Sequence, residues 1–567
     1  MPTGRQTPAR PKRARTQSPQ PESAPRLDRI ERFADRHASR LAIALILVGS
    51  LRIAATYTVF NHTSDEPAHI ACGMQWLDQH IYEYEHQHPP LTRVMVAIGP
   101  YLAGARGNRQ NDMTIEGDTI LYGGNHYDLR LALSRAGNLP FFWLACWMVF
   151  LWGRKLLNDA GAVVAVLIFT MIPTVLAHAG LSTTDMGVTA CLTAALYAFL
   201  RFVESPNART AAWLGVAGGL TILTKFSALV YFPAAIALTA AVWIYRARPS
   251  VGPLMCDIRS RIPGAAISLI LAFFIIWAGY RFSFGRAPGL PLRTPFPELF
   301  SGVQAVMRHN AEGHLAYLLG QLRMDGWWYF FPVVLAVKLP LALLGLIAIG
   351  LVAAMMSRIG HPGEFPSAWP FWIAIAMPLA MLIVAMSAHI NIGLRHILPI
   401  FPFLALIGAS GAIWLARSGA RNAWARWTLA AAVIWLCGTS LAAHPDYLPY
   451  FNAIAGNDPE RIVVDSDLDW GQDIKRLGAR LRELNAEFVT FTPTITTSLS
   501  LHGFPPHQQS AWDGPDPGWN AVQISEWKLY RMGLQMRQPG AKTWPDVIQP
   551  TERVGRSILL YHVPGRN

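Results

Sequence analysis

The feature that most constrains this chain is a series of long apolar runs separated by short basic segments. A helix needs about 20 apolar residues to cross the hydrocarbon core of a bilayer. Of the 567 residues, 52% are apolar and only 15% are charged, which indicates a polytopic membrane protein rather than a set of soluble domains. The predicted fold is a mainly α-helical transmembrane bundle. Eleven spans are predicted, at 41–60, 138–156, 160–179, 184–203, 210–224, 227–245, 262–282, 329–356, 368–388, 394–416 and 425–443.

The distribution of basic residues predicts the orientation of the bundle. The net charge is +13, but Lys and Arg lie mainly between apolar runs. They are therefore interpreted as topology signals and as contacts to membrane lipids, with no nucleic acid partner. Residues 1–40 are rich in Pro, Arg, Ser and Gln, which predicts a disordered basic tail in the cytoplasm. The expected location is the inner (plasma) membrane, and an odd number of spans places the C-terminal end on the periplasmic or extracellular face.

The same pattern divides the chain into regions. Residues 41–443 form the predicted transmembrane domain, with long external loops at 61–137 and 284–328. Both loops contain amphipathic pieces compatible with interfacial helices, such as HLAYLLGQLRMDGWWYFF. From residue 444 to 567 the composition becomes ordinary for a globular protein. Apolar strands are predicted at RIVVD, EFVTFT and SILLYHV, with a helix near 472–486, which indicates a small external α/β domain.

Two adjacent acids, Asp65 and Glu66, begin the first external loop just after the first span. A carboxylate pair at a boundary between water and membrane costs desolvation energy, which favours a functional role. A carboxylate can also accept a proton from an attacking hydroxyl. Both residues are therefore predicted to be catalytic. The structural alternative is a solvated loop start or a helix N-cap.

Further polar residues lie in the same loop, at the predicted external ends of other spans, or inside a span. Arg and Lys can hold a phosphate, and Arg can do so through two parallel hydrogen bonds. Together with an acid that serves as base, such cations suit displacement at a sugar carbon whose leaving group is a lipid-linked phosphate. The residues predicted to bind substrate in this part of the chain are His88, Arg93, Asp185, Lys225, Lys338, Arg395 and His396.

Most of these residues also have a structural interpretation. Asp185 could cap a helix, and Lys225 could anchor a span at the interface. Arg395 and the neighbouring histidine could extend toward the headgroups, and His88 could belong to a rigid turn before two prolines. Lys338 is different because it lies inside an apolar span and needs a partner or a water-filled cavity.

The C-terminal region contains an acidic run, DSDLDWGQD at 465–473. Its spacing lacks the glycine and the final glutamate of a calcium loop. From this run, Asp469, Trp470 and Gln472 are predicted to face the site, with a structural turn as the alternative. A divalent ion, Mg²⁺ or Mn²⁺, near Asp65 and Asp185 remains open because no ligand set is evident.

Several motifs together resemble those of bacterial phospholipid-carrier-dependent glycosyltransferases of the GT-C fold. Similar motifs occur in the protein O-mannosyltransferases and the lipid A aminoarabinose transferases. The segments that carry the resemblance are the Asp65-Glu66 pair, HPPLTR, PTVLAHAGLSTTD, GLTILTKFSAL, YLLGQLRMDGWWYFFPVVLAVKLP, NIGLRHILPIFPFL and DSDLDWGQD.

The resemblance implies a polyprenyl-phosphate-linked sugar as donor, an inverting single displacement, and Asp65 as the base. It leaves open whether the acceptor hydroxyl belongs to a protein, a lipid or a glycan. His88, Pro89 and Pro90 match the HPP motif of the mannosyltransferases, whereas Arg93 stands where that motif has Lys. Two other classes remain as alternatives. One is a transporter or flippase, which would use the intramembrane charges as a transport path, and the other is a non-catalytic assembly subunit.

Overall fold

The computed structural model describes residues 25–289, 291–356, 368–419 and 422–565. The described chain is mainly α-helical with a small C-terminal sheet, so the predicted fold class is confirmed. Its α-helices are α1 Pro25–Ala54, α2 Glu66–Met74, α3 Pro90–Leu102, α4 Met113–Tyr122, α5 Tyr127–Ala136, α6 Leu139–Leu156, α7 Asp159–Thr170, α8 Pro173–Ala179, α9 Asp185–Glu204, α10 Ala208–Ile222, α11 Ala228–Ala247, α12 Val251–Gly279, α13 Pro297–Glu312, α14 Phe330–Lys338, α15 Leu341–Met356, α16 Ala368–Met386, α17 Phe401–Gly419, α18 Ala423–Ala442, α19 Ile474–Glu483 and α20 Ile524–Arg537. Its strands are β1 Phe284–Arg286, β2 Arg293–Pro295, β3 Ala316–Leu318, β4 Gln321–Arg323, β5 Val489–Thr490, β6 His507–Gln508, β7 Gly518–Gln523, β8 Glu552–Val554 and β9 Ile558–Val563.

The chain is an integral, multi-pass membrane protein by the length and composition of its helices. Within the described ranges, seven helices are long and apolar enough to cross a membrane, or nine spans if each of two bent pairs counts as one. The remaining two of the eleven predicted runs correspond to shorter helices. One is α10, whose 15 residues rise about 22 Å, and the other is the apolar part of α16, Phe371–Met386. The helices of the described residues thus account for all eleven predicted apolar runs, nine of them at spanning length.

Two predicted spans are bent, in both cases next to a proline. α7 and α8 meet at 70° before Pro173, and α14 and α15 meet at 114° at Pro340. Proline lacks a backbone N–H and clashes with the preceding turn, so a helix does not run straight through it. The second bend places Lys338 at the end of α14 rather than in the middle of a continuous span.

The predicted N-terminal boundary also shifts. Residues 1–24 of the predicted tail lie outside the described residues, whereas α1 begins at Pro25 and so includes the last part of that tail. At its other end α1 stops at Ala54, and turns lead from there to Asn61. α1 thus begins before the predicted apolar run 41–60, within the basic N-terminal segment.

The two long loops that were predicted to be external have their own secondary structure. The first contains α2 to α5. The second contains the β1–β2 hairpin, α13 and the β3–β4 hairpin. The predicted amphipathic helix around residues 314–323 is wrong, because Leu318 pairs with Gln321 across a two-residue turn. Both turn residues, Leu319 and Gly320, have positive φ, which suits the tight turn of a hairpin and not a helix.

The C-terminal region forms a five-stranded mixed sheet with the order β6-β5-β7-β9-β8. β5 runs parallel to β6 and β7, whereas β9 is antiparallel to β7 and β8. The strands predicted at EFVTFT and SILLYHV are present as β5 and β9. The one predicted at RIVVD is wrong, because 3₁₀ turns occupy Pro459–Arg461 and Asp465–Asp467. That segment instead packs against the β3–β4 hairpin, where the Leu319 amide donates to the Ile462 carbonyl.

The sheet domain is attached directly to the loop that follows α1. The Ser64 amide donates to the Trp470 carbonyl at 3.2 Å. Asn61 Nδ2 donates to the Gly471 carbonyl at 2.7 Å. These bonds hold the acidic run of the C-terminal region against the segment that carries Asp65.

Candidate functional site

The center of the candidate site is an ion pair between Asp65 and Arg395. The Arg395 guanidinium donates to Asp65 Oδ2 at 2.6 Å. Asp65 precedes α2, but its side chain makes no capping hydrogen bond. About one third of the Asp65 side chain is exposed, compared with 11% of Arg395. The predicted convergence of these two residues is therefore present, with the carboxylate partly exposed at the protein surface.

Arg395 is held in place by residues from the C-terminal region. It lies in a short 3₁₀ helix, Leu394–Ile400, before α17. The Leu394 amide donates to both carboxylate oxygens of Asp467 at 3.2 Å, which fixes the start of this helix. The Arg395 guanidinium stacks over the Trp470 ring, 4.2 Å from its centroid. Such stacking uses the planar face of the guanidinium and leaves its edge free for carboxylate or phosphate.

A second ion pair lies deeper in the same region. Lys225, in the turn between α10 and α11, contacts Asp185 Oδ1 at 2.6 Å. Asp185 is the first residue of α9 and is buried. The Asp185 carboxylate forms an ion pair with Lys225 and does not cap α9, whose N-cap residue is Thr184.

Several buried polar atoms in this region lack a hydrogen-bond partner among the described residues. They include Asp185 Oδ2, His178 Nδ1, Arg395 Nε and His396 Nε2. Buried polar atoms are almost always satisfied in folded proteins by protein or by water. These four atoms therefore need water or a polar ligand as hydrogen-bond partner.

Glu66 was predicted to be catalytic together with Asp65, but its side chain points inward. Its carboxylate accepts two hydrogen bonds from the Arg135 guanidinium, at 2.9 and 2.8 Å. It also accepts from the amides of Ser182 and Thr63, at 2.9 and 2.8 Å, and from the Thr63 hydroxyl. Burial alone would raise the pKa of Glu66, but Arg135 and these hydrogen bonds keep it below its usual value. The contacts indicate that Glu66 positions α2 and does not reach a substrate.

Arg93 is held by residues of the first long loop. Its guanidinium is buried, forms a very short ion pair with Glu85 and donates to Tyr82 and to His69 Nδ1 at 3.0 Å each. His88 belongs to the same cluster, because its Nδ1 lies 3.3 Å from Glu85 Oε2 and 3.3 Å from the Arg93 guanidinium. Burial lowers the pKa of His88. Both predicted residues of the HPPLTR motif therefore make contacts that shape this loop.

Lys338 is also satisfied within the protein. Its ammonium donates to the carbonyls of Leu448 and Asp467, at 2.6 Å each, and lies 4.3 Å from the centroid of the Phe451 ring. The lysine predicted to contact phosphate thus fastens the segment after α18 to the end of α14. Burial of Lys338 predicted a partner for its charge, and that partner consists of two backbone carbonyls.

The acidic run divides into structural residues and residues at the site. Asp469 accepts from Ser525 and Gly471 amides, and Gln472 accepts from the Trp470 amide, so both side chains stabilise the turn. Only Trp470 of the three predicted residues contacts Arg395. Burial raises the pKa of Asp469 to about 6.

Asp465 is a residue that the sequence reasoning missed. It is half-buried at the start of the acidic run, within electrostatic range of Arg395 and Asp65. Burial raises the pKa of Asp465 to about 6, although Arg395 opposes this rise. The run of alternating acids is a signal for it, whereas its positive φ of 62° could not be predicted from sequence.

The donor set does not fit a divalent cation. Asp65 and Asp185 are each paired with a basic side chain, which already neutralises the carboxylates that a metal ion would need. Within residues 25–289, 291–356, 368–419 and 422–565, no group of three or more His, Cys, Asp or Glu residues is placed to hold a metal ion.

Comparison with known proteins relates part of this architecture to a family. The family model of dolichyl-phosphate-mannose-protein mannosyltransferases matches residues 141–277, which include Asp185 and Lys225. The predicted resemblance to protein mannosyltransferases is confirmed over this segment. No curated protein matches the chain.

Solved structures give weaker similarity over a longer range. ArnT from Cupriavidus metallidurans, solved with bound undecaprenyl phosphate, has 12% identity and a TM-score of 0.48, covering 93% of this chain and 99% of ArnT. The Archaeoglobus fulgidus oligosaccharyltransferase, solved with a tethered acceptor peptide, has 13% identity and a TM-score of 0.46, covering 72% of this chain and 54% of that protein.

Proposed function

We propose that this protein is a membrane glycosyltransferase of the GT-C type. It transfers a sugar from a polyprenyl-phosphate carrier to a hydroxyl group on a protein, lipid or glycan acceptor. The observation that carries the proposal is the partly exposed Asp65 carboxylate beside the largely buried Arg395, with the Lys225–Asp185 ion pair and His396 in the same region. The family match over residues 141–277 supports a lipid-phosphate sugar as donor.

In the proposed reaction, Asp65 accepts the proton of the acceptor hydroxyl as its oxygen attacks the anomeric carbon. The bond between that carbon and the phosphate oxygen breaks, and its electron pair stays on the phosphate. The configuration at the sugar carbon inverts because attack and departure occur on opposite faces. Lys225 and Arg395 stabilise the charge that develops on the leaving phosphate, where preorganised cations contribute most.

The Asp65–Arg395 contact is the resting arrangement in this mechanism. A phosphate that approaches Arg395 competes with Asp65 for the guanidinium edge. Donor binding would then weaken the 2.6 Å pair and leave Asp65 free to accept a proton. Trp470 keeps the guanidinium in place while its partner changes.

The charge distribution supports an external location for the reaction. Lys155 and Arg201 lie near the ends of α6 and α9 that are far from Asp185. Basic residues favour the cytoplasmic side of a membrane protein. The opposite ends, which carry Asp65 and the C-terminal sheet, then face the periplasm or the exterior.

The decisive experiment is transfer of label by the purified full chain. The protein is incubated with polyprenyl-phosphate sugars that carry a labelled sugar, together with a lysate that supplies acceptors. Label in a new covalent product, dependent on Asp65, supports the proposal. Movement of intact labelled lipid across a liposome membrane without a new product would contradict it and indicate a flippase.

A further inference from the structure

An apolar groove with a basic mouth lies apart from the candidate active site. It has a volume of about 810 Å³ and runs between α6, α9 and α10. Its apolar lining includes Trp147, Ala194, Ala217 and Trp213. No residue of the Asp65, Asp185, Lys225 and Arg395 group lines it.

The groove opens toward lipid. α6 and α9 belong to candidate membrane spans. Trp147 and Trp213 are 36% and 60% exposed, which brings two large apolar rings to the bundle surface along the groove. Tryptophan is enriched where membrane proteins meet the headgroup layer. The expected occupant of such a groove is therefore a hydrocarbon chain.

The mouth of the groove carries unbalanced positive charge. Arg201 and Arg209 both line it. The nearby Glu204 carboxylate contacts Lys155 at 2.6 Å and Arg201 only at 3.5 Å, so most of its charge is matched by the lysine. Within the described part of the chain, Arg209 has no ion-pair partner, and its side chain is exposed.

We propose that this groove binds one anionic phospholipid. An acyl chain lies between α6, α9 and α10, and the phosphate contacts Arg201 and Arg209. A zwitterionic lipid would bring a second, positive group to the same arginines, so charge complementarity favours an anionic headgroup.

This lipid is distinct from the proposed sugar donor. Arg209 lies at the start of α10, whereas Lys225 follows its other end. The 15 residues of α10 rise about 22 Å. A phosphate at Arg209 and a donor phosphate at Lys225 are therefore two separate groups at opposite ends of one helix. The proposal thus does not depend on the transfer reaction.

The test measures lipid binding to the purified full chain in detergent. Phosphatidylglycerol or phosphatidylcholine is added, and bound lipid is counted by native mass spectrometry while the melting temperature is recorded. We expect one tightly retained phosphatidylglycerol and a rise in melting temperature, with a smaller response to phosphatidylcholine. An equal response to both lipids would overturn the proposal.

Variants separate the charged mouth from the apolar groove. Arg201→Gln with Arg209→Gln should lower phosphatidylglycerol affinity at least tenfold, and Ala217→Trp should block binding by filling the groove. The matched controls are Arg259→Gln, an exposed arginine of α12, and Ala240→Trp, an exposed alanine of α11 outside the groove. Both controls should bind as the wild type does.

Two results from these variants count against the proposal. The first is unchanged phosphatidylglycerol binding in both the double arginine variant and Ala217→Trp. The second is one-for-one displacement of the phospholipid by undecaprenyl phosphate, which would assign the groove to the donor's hydrocarbon tail.

Discussion

Asp65 and Arg395 are 330 positions apart in the sequence, yet their side chains lie 2.6 Å apart. One follows the first helix of the bundle and the other precedes α17. The pair thus brings two distant segments of the chain together in the region where Asp185 and Lys225 form a second ion pair. This arrangement joins a partly exposed carboxylate to two largely buried cations, which is the combination that the proposed transfer reaction needs.

The first prediction concerns Asp65→Asn. The amide keeps the shape of the side chain but cannot accept the acceptor proton, so transfer should fall by about 10²- to 10⁴-fold. Because the side chain is partly exposed and caps no helix, the melting temperature should change little. Transfer of labelled sugar measures the loss. Near-normal turnover in a folded variant would show that Asp65 is not the base.

The second prediction concerns the ring that holds Arg395. Trp470→Ala removes a stacking contact of about 0.5 to 2 kcal/mol, which corresponds to a rate loss of about 2- to 30-fold. Trp470→Phe keeps an aromatic face and should retain more activity. The comparison of kcat/KM for the two variants checks the idea. Equal losses would indicate that stacking on Arg395 is not what Trp470 contributes.

The third prediction is a pH effect that depends on Asp465. Burial raises the pKa of Asp465 to about 6, so this group becomes charged as the pH rises through that value. The new negative charge competes with phosphate for Arg395, and transfer should therefore be slower above about pH 6 than in Asp465→Asn. Below that pH the two proteins should react at similar rates. Asparagine tolerates the positive φ at this position, so the turn should be preserved.

A profile of kcat/KM against pH for both proteins tests this difference. The comparison is internal, because the two proteins differ only at position 465. Profiles that coincide over the whole range would rule out an influence of Asp465 on the reaction.

The fourth prediction separates a structural role of Lys338 from phosphate binding. Lys338→Met removes two charged hydrogen bonds and leaves the carbonyls of Leu448 and Asp467 without that donor. We expect the free energy of unfolding to fall by about 2 kcal/mol or more. The KM for the donor in the remaining folded protein should stay near the wild-type value. A large rise in donor KM without loss of stability would instead support the phosphate contact predicted from sequence.

The fifth prediction concerns the buried pair of Glu66 and Arg135. Glu66→Gln leaves the arginine buried without its counter-charge and should destabilise the protein by about 3 to 5 kcal/mol. Because the folded-state pKa of Glu66 lies below its usual value of 4.5, its stabilising contribution is present above that pH and is lost as the pH falls further. The melting temperature should be measured between about pH 3 and about pH 7, a range that brackets the usual pKa of a glutamate. It should fall less steeply toward acid pH in Glu66→Gln than in the wild type.

Much of the architecture could be predicted because lipid imposes a simple rule on sequence. Every backbone polar group inside a membrane must be paired within its own segment, so long apolar runs predict helices. The bends at Pro173 and Pro340 also have a local cause, because proline interrupts a helix. The sequence analysis nevertheless predicted one continuous span at each of these positions. Strand prediction succeeded at β9 but failed at RIVVD, where the partner is a hairpin more than a hundred residues away.

The sequence by itself determined that this is a helical membrane protein with acids and cations at the ends of its spans. Only the tertiary structure decided how each of those charges is placed. Glu66, Arg93 and Lys338 look as chemically suitable as Asp65, Lys225 and Arg395, but they are fully buried among Arg135, Glu85 and two carbonyls. Asp65 instead remains one-third exposed, and Arg395 keeps an unpaired Nε. The physical reason is that a buried charge must find a partner, and the identity of that partner depends on which distant segments pack together.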